Sequence, residues 1–88
     1  MTVLKIVAME PPAGGTVLHL EGQIIGPWVD ELRRTCEGLM GNGAIALDLA
    51  HVSFVERRGL DLLRALAVRG VRLRRCSPFV AEQLKAST

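Results

Sequence analysis

Ala44-Ile45-Ala46-Leu47-Asp48-Leu49 is an almost unbroken apolar run, with Asp48 its one polar member. It follows Gly41-Asn42-Gly43. A short apolar run of this kind, bounded by a turn signal and lacking period-two alternation, fits a strand buried on both faces. Such a strand lies in the middle of a sheet, usually with parallel neighbours. An α/β layer is therefore the frame into which the rest of the chain has to fit.

The flanking segments supply that layer. Val3–Val7 reads as a first strand, with Leu4 and Ile6 on one face around Lys5. Glu10-Pro11-Pro12-Ala13-Gly14-Gly15 is a turn cluster that neither helix nor strand continues through. Thr16–Gly22 reads as a second strand, Leu18 and Leu20 alternating with His19 and Glu21, so the two runs suggest an antiparallel hairpin. Gly26-Pro27 opens a helix, because proline fits the first helical position, where an N–H would lack a partner. At 100° per residue, Trp28, Val29, Leu32, Cys36, Leu39 and Met40 share one arc, and Asp30, Glu31, Arg33, Arg34 and Glu37 oppose it. Gly41-Asn42-Gly43 stops this helix.

After the central run, a turn through His51–Glu56 is expected to lead into a second helix over about Arg58–Arg69, stopped by Gly70. Leu60, Leu62, Leu63, Leu66 and Ala67 cover one side of it. Val71–Arg75 alternates as a further strand, and Pro78 starts a short last helix with Phe79, Val80 and Leu84. The order β-β-α-β-α-β-α implies one small α/β domain over residues 1–88, a mixed sheet with helices packed mainly on one face. Only Ala86-Ser87-Thr88 reads as a loose end.

Charge is unevenly spread. Residues 1–56 hold seven acidic and three basic residues, whereas residues 57–88 hold two acidic and eight basic ones. Such a skew fits nucleic acid, an anionic membrane or an acidic protein partner. Against nucleic acid, the arginines fall on two different elements and only three residues are aromatic, so no stacking platform emerges. A basic nucleic-acid-binding domain remains the alternative of a different class. No apolar run reaches the ~18–20 residues of a membrane span. Met1–Glu10 lacks the basic and apolar regions of a secretion signal, so the chain reads as cytoplasmic without membrane insertion.

The residues give no sign of catalysis. Cys36 lies on the apolar helix arc, and Cys36 and Cys76 form no CxxC pair; both read as buried free thiols. His19 alternates outward on a strand and His51 lies in a turn, neither with an evident partner for acid–base work. There is no phosphate-binding glycine loop and no metal-ligand cluster, so no cofactor or metal is expected.

Leu47-Asp48-Leu49-Ala50-His51-Val52-Ser53-Phe54-Val55-Glu56-Arg57-Arg58-Gly59-Leu60 resembles the hallmark of STAS domains (sulfate transporter and anti-sigma factor antagonist). In that family a buried strand ending in D-L-S leads through a V-x-F-[IV]-D-[ST]-[ST]-G-L turn into a helix. Leu18-His19-Leu20-Glu21-Gly22-Gln23 is similar to the family's second strand, and Cys76-Ser77-Pro78-Phe79-Val80 to its late strand-to-helix junction. The resemblance spans roughly Val3–Lys85. It implies a non-catalytic protein-binding module of the anti-sigma factor antagonist kind.

Two departures qualify it. Glu56 stands at the family's aspartate position, and Arg57 and Arg58 stand where phosphoregulated members carry the acceptor hydroxyls. Arginine has no hydroxyl, so phosphorylation control is expected to be absent at this loop. Ser53 lies in the approach to the turn and is no substitute. Family members also usually carry one more strand and helix after the equivalent of Lys85. Val71–Arg75 could then form a sheet edge, which Arg72, Arg74 and Arg75 would help guard.

The resemblance places partner contacts at Glu56, Arg57, Arg58, Gly59 and Leu60. Helical projection adds Asp61 and Arg64, beside Ala65 and Val68, as a basic strip opposite the leucines. Arginine suits an acidic partner because its planar fork pairs bidentately with carboxylates. A plainer reading is that these charges merely solvate an outer helix face. The loop Gln23–Trp28 adds Ile24, Ile25 and Gly26, the isoleucines as exposed apolar contacts. Glycine at 59 is expected to let a partner approach the backbone. The implied partners are a kinase-fold anti-sigma factor or, alternatively, the ATPase subunit of a phospholipid-trafficking ABC transporter. Oligomeric state is open, a homodimer included.

Overall fold

The computed structural model describes residues 3–41 and 43–86. Asn42 of the helix stop and the Ser87-Thr88 end lie outside the described residues. The elements run β1 (Leu4–Met9), β2 (Thr16–Ile24), α1 (Pro27–Leu39), β3 (Ile45–Val55), α2 (Arg57–Val68), β4 (Arg72–Arg74) and α3 (Pro78–Ala86). This is the β-β-α-β-α-β-α order expected. The sheet order is β1-β2-β3-β4, with β1 antiparallel to β2 and both β2–β3 and β3–β4 parallel.

The apolar run does become an inner strand. Ile45, Leu47 and Leu49 are buried, and they join Leu18, Leu20, Leu32, Cys36, Leu63 and Leu66 in one core. The amphipathic arcs of α1 and α2 thus close over the same sheet residues, each large aliphatic side chain contributing about 1.5–3 kcal/mol of burial. Trp28, Leu39 and Met40 pack against the rim of this core half-buried. Along β1 and β2 the alternate residues Lys5, Val7, Met9 and Glu21 are exposed. Ala67, expected on the buried side of its helix, is also exposed.

β3 does not end at Leu49; it continues through the segment expected to turn, to Val55. The register explains why. His19 pairs with Asp48 but Glu21 with His51, and Gly22 pairs with Val52 but Gln23 with Phe54. At each step β3 spends one residue more than β2, as in a bulge. Two such insertions destroy period-two alternation, so the buried Val52 and Val55 stand three apart. The Asp48 carboxylate takes part in the first irregularity, its Oδ1 accepting the Ala50 N–H at 3.0 Å.

β2 likewise runs two residues past Gly22. That glycine has φ 110°, and a Cβ there would overlap the Val3 carbonyl oxygen. The backbone crosses β1 there only because no side chain is present. At the far end, α3 begins on Ser77, whose Oγ accepts the Val80 N–H and donates to the Val52 carbonyl, each at 3.3 Å. Gln83 Nε2 donates to the Val55 carbonyl at 3.1 Å and fixes α3 beside the end of β3.

Candidate functional site

The ends of β2 and β3 place the two candidate segments side by side. Ile24 pairs with Val55, and the Glu56 N–H donates to the Ile24 carbonyl at 3.1 Å. One bond thereby links the end of β2 to the residue that starts α2. Gly26, at φ 52°, starts α1, its carbonyl accepting the Val29 N–H at 3.1 Å. Both helices therefore begin at the same end of the sheet.

Glu56 occupies the N-cap of α2 in extended conformation, without a side-chain capping bond. The first-turn N–H groups of α2 thus carry their partial positive charge without a capping side chain. Arg57 and Arg58 are exposed just inside that entrance. Arg58 Nη2 lies 3.2 Å from Asp30 Oδ1 of α1, and the same oxygen holds Arg33 Nη2 at 2.8 Å. The pair spans the seam between the helices; being solvent-exposed, it stabilises by less than ~1 kcal/mol. Beneath it a groove of about 340 Å³ is lined by Val29, Arg33, Arg58, Asp61, Leu62 and Ala65.

Several expected contact residues face the other way. Ile24 is not in a loop: it ends β2 and is fully buried. Leu60, 7% exposed, belongs to the core. Gly59 is buried too, and its lack of a side chain serves packing inside the molecule rather than a partner's approach. A Cβ there would meet Val55 Cγ1 at 2.7 Å, with Ile24 Cγ2 and the Ile24 carbonyl oxygen at 3.0 Å. Arg64 is half-buried, its Nη2 donating to the Leu84 carbonyl in the last turn of α3 at 3.0 Å. It braces two helices and leaves the basic strip. What remains outward is Arg57, Arg58, Asp61, Ala65 and Val68, with Ile25 and Gly26 half-buried beside them.

The reactive groups are quiet. Burial pushes the Cys36 thiol up to about 11, Arg69 opposing and Glu37 adding to the effect. Burial also raises Cys76. Neither thiol is poised as a nucleophile at neutral pH. Ser53 is exposed on β3, its Oγ donating to the Gly22 carbonyl at 3.3 Å, away from the first turn of α2. Among the described residues no three His, Cys, Asp or Glu side chains come together as metal ligands. Nor is any described helix long and apolar enough to cross a membrane.

One polar cluster was not foreseen. His19, expected to lack a partner, places Nδ1 3.1 Å from Asp48 Oδ2, and Arg75 Nη1 lies 3.2 Å from the same oxygen. Arg75 reaches it from a left-handed conformation, φ 55°, just past β4. Burial works to raise the Asp48 pKa. The Ala50 N–H, Arg75 and the two histidines outweigh it, and the carboxyl stays below its usual range. Asp48 and Glu56 lie at opposite ends of a path of eight residues, over ~20 Å of strand, and form no acid pair.

No family model matches the sequence, and no curated protein does either. The fold has a solved counterpart. The crystal structure of an anti-sigma-factor antagonist STAS domain from Rhodobacter sphaeroides superposes with a TM-score of 0.66 at 12% sequence identity. The match covers 86% of this chain and 94% of that one. With the strand order, the helix entrance beside Ile24 and this superposition in agreement, the chain is a small α/β domain with a STAS-like fold.

Proposed function

We propose that the chain is a non-catalytic protein-binding module that docks a larger partner on the surface shared by the starts of α1 and α2. The observation that carries this reading is the groove lined by Val29 and Arg33 of α1 and Arg58, Asp61, Leu62 and Ala65 of α2, at the end of the sheet where the Glu56–Ile24 backbone bond ties the entrance of α2 to β2. The partner presents carboxylates to Arg57 and Arg58 and a small apolar contact to Ala65 and Leu62. A partner of the anti-sigma factor type is supported by the described role of the structural counterpart. A transporter ATPase subunit remains the second partner class; nothing in the geometry favours it.

Several other arginines are already engaged, Arg64 with the Leu84 carbonyl and Arg75 with Asp48. This disfavours a continuous nucleic-acid stripe. The docking surface is not switched by phosphate at the helix entrance, since Arg57 and Arg58 offer no acceptor.

The test is affinity capture from the native organism with wild type, with Arg57→Glu/Arg58→Glu, and with Arg72→Glu on the exposed strand β4, whose register partner is Ala46, as control. The expected result is one partner retained by wild type and control and lost by the double variant, with melting temperatures alike. Equal capture by all three refutes the surface. Stoichiometric phosphate on Ser53 after incubation with a cognate kinase refutes the absence of phosphorylation control.

A further inference from the structure

The free edge of β1 has a pattern that matches itself. Gln23 N–H donates to the Val3 carbonyl at 3.0 Å, and the register pairs Lys5 with Glu21, Val7 with His19 and Met9 with Val17. In an antiparallel pair alternate residues turn both backbone groups toward the neighbour. Val3, Lys5, Val7 and Met9 therefore face β2, and Leu4, Ile6 and Ala8 direct their N–H and C=O groups outward. No described strand pairs with that edge. Lys5 is its one charged residue, while Val7 is 40% and Met9 55% exposed. An edge so lightly guarded invites another strand.

We propose that the strand is a second copy of β1, paired antiparallel about a two-fold axis at Ile6. This register uses every outward backbone group: Leu4 bonds to Ala8 of the second copy, Ile6 to Ile6, and Ala8 to Leu4. On the opposite face it sets Lys5 beside Val7 of the second copy and Val3 beside Met9. A hollow of about 520 Å³ lies at that place, lined by Val3, Lys5, Glu21 and Gly22. The exposed Met9 of each copy thus fills the hollow of the other. Unbranched, flexible methionine suits such a gap.

Charge selects the same arrangement. Lys5 has Glu21 as its cross-strand register neighbour within each copy, and the Ile6 axis sets no like charge opposite it. An axis at Lys5 would oppose two lysines, and an axis at Val7 would set the Glu10 carboxylate against Leu4. Pairing through β4 instead would bring Arg72 against Arg74, since like charges directly opposite repel. The product is one continuous sheet of eight strands with both helix layers on the same side, an isologous dimer. It is independent of the proposed partner surface, which lies on the helices.

Sedimentation velocity of the full chain tests it over roughly 1 µM to 1 mM, the range suited to a small interface. A concentration-dependent dimer is expected. Val7→Lys sets like charges opposite twice across the axis and should weaken the dimer by about tenfold or more. Mixing Lys5→Cys chains with Val7→Cys chains, both also carrying Cys76→Ser, gives the register directly. Non-hydrogen-bonded antiparallel partners have Cα atoms about 4.5 Å apart, within disulfide range, so the mixed pair should oxidise to a covalent dimer. A monomer at the highest concentration overturns the proposal, as does a dimer indifferent to Val7→Lys. A disulfide formed instead between two Val7→Cys chains assigns a different register and overturns this one.

Discussion

Gly59→Ala is the substitution whose cost the structure defines most sharply. The new methyl would lie 2.7 Å from Val55 Cγ1 and 3.0 Å from both Ile24 Cγ2 and the Ile24 carbonyl oxygen. Ile24 and Val55 are fully buried, so neither side chain can swing into solvent. The Ile24 carbonyl is also fixed by its bond to the Glu56 N–H. Overpacking a well-filled core costs about 1–3 kcal/mol, and a site bounded by backbone belongs near the top of that range. Alanine returns up to about 1 kcal/mol as a better helix former than glycine. The balance is a net loss of about 2 kcal/mol. At about 4–8 °C per kcal/mol for a domain of this size, the melting temperature should fall by roughly 8–16 °C.

Gly38→Ala is the matched control. It lies on the exposed side of α1, with nothing within 4 Å of an added Cβ. Only the propensity gain of about 0.5–1 kcal/mol should remain, raising the melting temperature by a few degrees. Thermal unfolding followed by circular dichroism reads both. A Gly59→Ala protein that melts at or above the wild-type temperature would refute the claim that α2 starts against Ile24 with no room for a methyl.

Asp48→Asn should preserve the Ala50 bond but lose the charge that holds Arg75 and His19. Since both partners are partly exposed, the cost at pH 7 is about 1 kcal/mol. The folded-state pKa of Asp48 is depressed, so its contribution is complete above the unfolded carboxylate value and lost as pH falls through the folded one. The stability gap between wild type and variant, measured by urea unfolding, should begin to narrow below about pH 4 and shrink further as pH falls. A gap that stays the same size as pH falls through and below the ordinary carboxylate range contradicts this account. With a thiol reagent at pH 8, the half-buried Cys76 should react well before Cys36, whose thiol is fully buried and raised to about 11. Cys36 should react only at the rate of global unfolding; prompt modification of both would show that α1 opens locally.

Composition and periodicity carried the layer architecture because most elements obey a simple period. The arc Val29, Leu32, Cys36 recurs at helical spacing, and Leu18 and Leu20 alternate, so α1 and β2 were legible. β3 was half legible: its first half reads as apolar, but two extra residues against β2 remove the alternation beyond Asp48. That loss also hid the surroundings of Ile24, which looked like loop because it lies between Gly22 and Gly26-Pro27. A glycine admitting a close backbone crossing at Val3 is compatible with strand, and the sequence alone does not distinguish that from a turn. Helical projection placed Arg57, Arg58 and Asp61 on the outer half of α2 but misassigned Arg64. Projection knows only the axis of one helix, whereas the direction of Arg64 is set by the end of another. The His19–Asp48–Arg75 cluster joins β2 and β3 to the residue just past β4 and has no local trace at all.

Asp30 has a consequence for how the α1–α2 seam receives a partner. Its Oδ1 atom is shared between Arg33 and Arg58, so Arg58 is not a bare cation awaiting a carboxylate. An incoming acid displaces one already present, and Arg33 retains the released Asp30. The count of ion pairs is then nearly unchanged on docking at Arg58. Added salt weakens the outgoing and incoming pairs alike. Complex formation should therefore tolerate ionic strength better than two exposed arginines suggest, with Arg57 supplying most of the residual sensitivity.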